Sequence, residues 1–156
     1  MCKAEGMGIC PWGALGGGKF KTEEQRKGGE GRKVEASENE IKVSEALEKI
    51  AKRKDTIITS VAMAYVMQKT PYVFPIIGGR KIDHLKGNIE ALSIELSSED
   101  IKEIEGAMSF NLGFPHNILW GPEPRATDQS ITLLKMGGTY DYVEDYKVSL
   151  VISGVY

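Results

Sequence analysis

The sequence predicts an α/β fold in which short strands run into glycine turns and then into helices. Residues 72–77 open just after Pro71 and carry aromatic and branched side chains, which reads as a short buried strand. Gly78-Gly79 breaks that strand, and Ile82, Leu85, Ile89 and Leu92 follow at the spacing of one helical face. Residues 7–12 form a second strand candidate ending at Pro11-Trp12, and the turn Gly13-Ala14-Leu15-Gly16-Gly17-Gly18-Lys19 follows it. If the two strands are parallel neighbours, both turns emerge at one sheet edge, where α/β proteins bind ligands. Neither turn is G-x-G-x-x-G or a Walker loop.

Composition bounds the class. A chain of 156 residues suffices for one domain with a modest core. Its 41% hydrophobic and 27% charged residues are ordinary for a soluble globular protein, and a net charge of -2 gives no basic footprint for nucleic acid. Cys2 and Cys10 are too few for a disulfide framework and fit a reducing compartment. No apolar run approaches a membrane span, and residues 1–19 lack a signal-peptide core. The expected location is cytoplasmic.

The elements follow in order. Residues 20–36 are charged, glycine-containing and almost free of apolar groups, and read as an exposed loop. Lys19, Lys21, Arg26, Lys27, Arg32 and Lys33 make it basic: either a solvated loop or a flap closing over an anion. Ser37 and Glu40 have capping-box spacing and begin a helix whose inner side is Ile41, Val43, Leu47, Ile50 and Ala51. Lys52-Arg53-Lys54 suits its C-terminus. Thr59 or Ser60 should cap a second helix, apolar nearly all round and so buried on more than one side, which Pro71 stops. A helix at about 81–92 follows the strand at 72–77. Ser97 caps the next, with Glu99 and Asp100 in its first turn. Beyond Ser109 the periodicity fails, and prolines and aromatics interleave.

Residues 75–88 are the most informative stretch. A glycine turn with Arg80 ahead of a helix puts backbone N–H groups and a guanidinium where a phosphate is favoured. The run at 13–18 admits close approach of a ligand to backbone, or is simply a flexible turn.

These stretches also carry a resemblance. Residues 12–19 resemble the seventh-strand turn of aldo-keto reductases, and residues 75–92 the eighth-strand turn and its helix. Ser97-Ser98-Glu99-Asp100-Ile101 resembles the start of the family's next helix, and the tail at 112–117 resembles the fungal aryl-alcohol dehydrogenase branch. The resemblance implies the C-terminal portion of a (β/α)8 (TIM) barrel, mostly helix and loop, with two recognisable strands and the barrel incomplete. It implies one partial domain over 1–156: the last two β/α units and a C-terminal helix in 1–109, and a substrate-rim-like tail in 110–156.

The resemblance also implies NADP as cofactor. Gly13, Ala14 and Leu15 would line its pyrophosphate or nicotinamide side, and Gly16 and Lys19 would belong to the turn closing over the diphosphate. Gly79 and Arg80 would meet the adenosine 2′-phosphate, with His84 and Asn88 near the adenine. Two positions depart from the family: Gly87 stands where a glutamate is frequent, and His84 replaces Gln or Arg. Gly87 should weaken its own helix by roughly 1 kcal/mol relative to Ala.

Nothing here matches the strand motifs that carry the family's Asp, Tyr, Lys and His, so no catalytic residue is expected. His116 and the tyrosines at 140, 142 and 146 are poor substitutes. No metal site is expected. The function implied is an oxidoreductase of the aryl-alcohol dehydrogenase type, interconverting aromatic aldehyde and alcohol, of which this truncated chain supplies cofactor contacts without independent turnover. The alternative is a non-catalytic nucleotide-binding or interaction module that pairs with itself or with a full-length relative. Helices shaped to cover a barrel would expose apolar faces and favour self-association.

Overall fold

A computed structural model describes residues 1–29, 31–111 and 113–115 of the chain. Expectations for Leu112 and for residues 116–156, including His116, the three tyrosines and the implied substrate rim, lie outside the described residues. Met1–Met108 belongs to one compact unit, and a second begins at Ser109. Five helices are described: α1 (Glu23–Lys27), α2 (Glu38–Arg53), α3 (Ile58–Gln68), α4 (Ile82–Glu90) and α5 (Ser98–Gly106). Short 3-10 turns occupy Gly16–Gly18 and Ala91–Ser93.

Local signals fix most helix starts. Ser37 and Glu40 cap α2 reciprocally, and Ser97 and Asp100 do the same for α5. The segment expected to be a loop contains α1, opened by a third box between Thr22 and Gln25. Its five residues bury nothing; the Glu23 N–H donates to Glu48 Oε2 at 3.1 Å and ties α1 to α2. Neither Thr59 nor Ser60 caps α3. That helix starts at Ile58 after Ile57, with no side-chain cap, and Ser60 is buried inside it. Packing of an apolar helix overrides the polar signal.

The core is the crossing of α2 on α3. Leu47, Ile50 and Ala51 meet Ile58, Val61, Ala62 and Ala64, with Leu96 and Ile104 closing the far side. Phe20 and Tyr65 pack on its rim. α2 ends in a Schellman motif, in which the Thr56 N–H donates to the Ala51 carbonyl at 3.0 Å and Asp55 takes φ 51°. An aspartate there is both left-handed and unfavourable to the helix dipole. Asp55→Gly is therefore expected to raise stability by about 0.5–1 kcal/mol, read as a higher urea midpoint at unchanged slope.

The two expected strands pair in parallel, but only as isolated bridges. Ile9 lies opposite Val73, and Trp12 opposite Ile76. The Ile9 N–H donates to Tyr72 O, the Phe74 N–H to Ile9 O and the Ile76 N–H to Pro11 O, at 2.8, 2.8 and 3.0 Å. Pro11 and Pro75 bring no N–H, and glycines follow at 13, 78 and 79, so no continuous strand is assigned among the described residues. The chain is accordingly mostly helical here.

The expectation that 72–77 is buried fails: none of the six residues is buried, and Ile77 is exposed as well. Val73 and Pro75 are half-buried, whereas Tyr72, Phe74 and Ile76 are exposed. Trp12 is 86% exposed, and its pairing with Ile76 puts the two residues on the same face. The apolar stripe of α4 faces outward too: Ile82, Leu85, Ile89 and Leu92 are exposed, and Gly87, Asn88 and Ala91 are buried instead.

Candidate functional site

The parallel pairing sends both glycine turns out at the same, C-terminal end of the strand pair. Its conditional form in the sequence is therefore met: the turns at 13–19 and 78–81 belong to one edge.

The second turn forms a cleft of about 350 Å³. Gly79, Arg80 and Asn88 line it, with Ile77, Ile82 and Leu85 as its apolar wall. Three features suit it to a phosphate-bearing nucleotide. α4 has no side-chain cap at Lys81, unlike α1, α2 and α5, so N–H groups of its first turn stay open. Arg80 is exposed, and its guanidinium makes no ion pair among the described residues. Asn88 is 6% exposed, and its amide has no hydrogen-bond partner among the described residues. An amide that opens onto a cleft with donor and acceptor unused matches the edge of a heterocycle.

His84 stands in the first turn of α4 and is exposed. Its Nδ1 accepts the Arg80 backbone N–H at 3.4 Å, a long bond across the first turn of α4. A Cβ on Gly79 would come within 2.8 Å of His84 Cβ, so the close approach of turn and helix requires glycine at 79.

Gly87 also has a packing reason that its helix propensity hides. Ser60 Oγ donates to the Gly87 carbonyl at 2.8 Å, and a Cβ on Gly87 would meet Ile57 Cδ1 at 2.6 Å. The missing side chain lets α4 settle against α3 and holds Asn88 beneath the cleft. Ser60 and Ile57 are supporting residues that sequence reading missed, because a contact across 27 positions leaves no local pattern.

The first turn is more tightly folded. Ala14, Leu15 and Gly16 are half-buried, while Gly13 and Gly17 are exposed. Gly16 has φ 67°, and a Cβ there would stand 2.8 Å from the Phe20 ring, so only glycine fits. The basic segment folds back on this turn: Arg32 Nη1 donates to the Gly17 carbonyl at 3.5 Å and Lys21 Nζ to the Arg32 carbonyl at 2.7 Å. Lys19 is turned aside to Glu40, and none of 13–19 lines the 350 Å³ cleft.

The chain belongs to the aldo/keto reductase family, whose family model matches residues 1–109. It is of the fungal aryl-alcohol dehydrogenase type. Norsolorinic acid reductase B of Dothistroma septosporum is 48% identical, over 92% of this chain and 40% of its own length. Norsolorinic acid reductase A of Aspergillus parasiticus is 52% identical, over 77% of this chain and 31% of its own. A Saccharomyces cerevisiae protein named after the aryl-alcohol dehydrogenases is 45% identical, over 91% of this chain and 99% of its own. A thermostable aldo-keto reductase solved with the inhibitor epalrestat superposes with a TM-score of 0.49, at 24% identity, over 69% of this chain and 32% of its own. The chain thus spans about two fifths or less of the norsolorinic acid reductases it matches. No helix among the described residues is long and apolar enough to cross a membrane.

Proposed function

We propose that this chain is the cofactor-gripping, C-terminal part of an NADP-dependent, cytoplasmic oxidoreductase of the aryl-alcohol dehydrogenase type, the C-terminal piece of a (β/α)8 barrel. The observation that carries the reading is the pairing of two segments that send two glycine turns to one edge, with an Arg80 that has no ion pair among the described residues at an uncapped helix start. Arg80 and the open N–H groups of α4 bind the adenosine 2′-phosphate, Gly79 lets the phosphate approach, and Asn88 with His84 orients the adenine. Gly13, Ala14, Leu15 and Gly16 lie along the pyrophosphate, and Lys19 contributes its charge there. The bound cofactor supplies hydride to an aromatic aldehyde. The group that protonates the carbonyl oxygen comes from residues outside these 156, and residues 110–156 form part of the substrate rim.

The test is an NADPH titration followed by the fluorescence of Trp12, in a Trp120→Phe background so that one indole reports. A saturable change is expected; a folded chain with no response would remove the cofactor reading. Turnover of an aromatic aldehyde at an ordinary enzymatic rate by this chain alone would overturn the assignment of the proton donor elsewhere.

The exposed face of Trp12, Tyr72, Phe74 and Ile76 supports self-association of the same module. Light scattering should then report a mass that rises with concentration above 17.1 kDa.

A further inference from the structure

Lys19 is held by a carboxylate in the first turn of α2. Its ammonium lies 2.7 Å from Glu40 Oε1, 21 positions along the chain. The other oxygen, Glu40 Oε2, accepts the Ser37 backbone N–H at 2.8 Å and the Ser37 hydroxyl at 2.9 Å. One carboxylate therefore closes the capping box of α2 and holds the lysine of the glycine turn. Lys19 first, then the Ser37 backbone N–H, hold its pKa down at about 2, so it stays charged wherever the chain is folded near neutrality. The next residue, Phe20, packs on the core and fixes the backbone at Lys19, which leaves the four-carbon side chain to move.

We infer that Glu40 is a positioning residue that competes with a diphosphate for Lys19 and so sets the affinity of the first glycine turn for its anionic ligand. The inference rests on the reading of Lys19 as a diphosphate contact. An incoming diphosphate must draw the ammonium off Glu40 Oε1. The exchange is easy, because both side chains are about a third exposed and a pair of that kind is weak. The carboxylate loses nothing structural when it lets go, since Oε2 still caps α2 through Ser37. Without the anion, Glu40 neutralises Lys19.

The test is a double-mutant cycle read by isothermal titration calorimetry with NADPH and, separately, with inorganic pyrophosphate. Glu40→Gln keeps the capping box, as Gln25 does at the same position of α1. It should tighten both ligands about two- to fivefold, the range an exposed ion pair allows. Lys19→Met should weaken both, and in that background Glu40→Gln should change nothing. Glu40→Asp is the second variant. Asp100 serves at that position of α5, so the box should survive while the shorter carboxylate withdraws from Lys19, and binding should again tighten. If Glu40→Gln leaves binding unchanged or weaker while Lys19→Met weakens it, the competition is refuted and the reading of the turn stands. If Lys19→Met has no effect, both fall. An equal gain from Glu40→Gln with and without Lys19 would mean a general charge effect and would also overturn the proposal.

Discussion

Arg80→Ala is expected to weaken NADPH binding by about 10- to 100-fold, the worth of a charge-assisted contact to a phosphate, while NADH changes by less than about twofold. The difference isolates the 2′-phosphate, which NADH lacks. The variant is well suited to the measurement because Arg80 supports nothing else: it is exposed and holds no carboxylate among the described residues. Its removal orphans no buried charge, so the unfolding midpoint should stay within the usual surface range of about 0.5 kcal/mol. Arg80→Lys keeps a point charge but loses the planar fork, and should fall between the two. An equal loss for both dinucleotides would refute the 2′-phosphate role.

Asp100→Ala should cost about 3 kcal/mol of stability, because one carboxylate carries three duties. It is 5% exposed. Its Oδ2 accepts the Ser97 N–H at 3.0 Å and closes the N-terminus of α5. Arg53 reaches Oδ1 at 2.8 Å and Lys54 reaches Oδ2 at 3.0 Å, which ties α5 to the C-terminus of α2. Arg53 keeps Glu103 at 2.7 Å and is half-exposed, which limits the loss to the lower end for a broken buried pair. Burial pushes this carboxyl up, but Arg53, the Ser97 N–H and Lys54 together outweigh burial and bring it down to about 2, from an ordinary 3.8. A carboxylate with a lowered folded pKa contributes fully above its unfolded pKa and fades as pH falls through the folded one. The contribution of Asp100 should therefore be present above about pH 4 and lost between about pH 4 and 2. Urea unfolding at pH 7, 4 and 2.5 checks this: the gap between wild type and Asp100→Ala should close toward the acid end. A gap independent of pH would show that capping geometry, not charge, is what Asp100 supplies.

The starts of α2 and α5 were legible because Ser37–Glu40 and Ser97–Asp100 are signals within one turn, where sequence distance and spatial distance coincide. Thr22–Gln25 is the same signal, hidden by glycines and charges around it that read as a loop. The true start of α3 was not legible. Thr59 and Ser60 are good caps in isolation, but burying Ile58, Val61 and Ala62 decides where the helix begins. The family is readable from the two glycine turns, and the parallel bridges Ile9–Val73 and Trp12–Ile76 bring those turns to one edge. The arrangement inside the site was not readable. The Lys19–Glu40 pair and the Ser60–Gly87 bond span 21 and 27 positions, and no periodicity reports on them. The exposure of Phe74 and Ile76 was missed for a different reason. Aromatic and branched residues say that a strand wants cover on both faces, and composition does not say whether this chain provides it.

The two turns share an edge only because the segments at 7–12 and 72–77 find one another across about 60 residues, which makes their pairing a costly loop closure. The helices α2 and α3 are neighbours in sequence and share the core, so they can assemble before that closure. That edge is then expected to form last and to open first. Amide protons of Ile9, Phe74 and Ile76 should exchange with solvent well before those in the middle of α2 and α3. A ligand that grips both turns would act as the missing clasp, slowing exchange at those three amides most and leaving the helical core almost untouched.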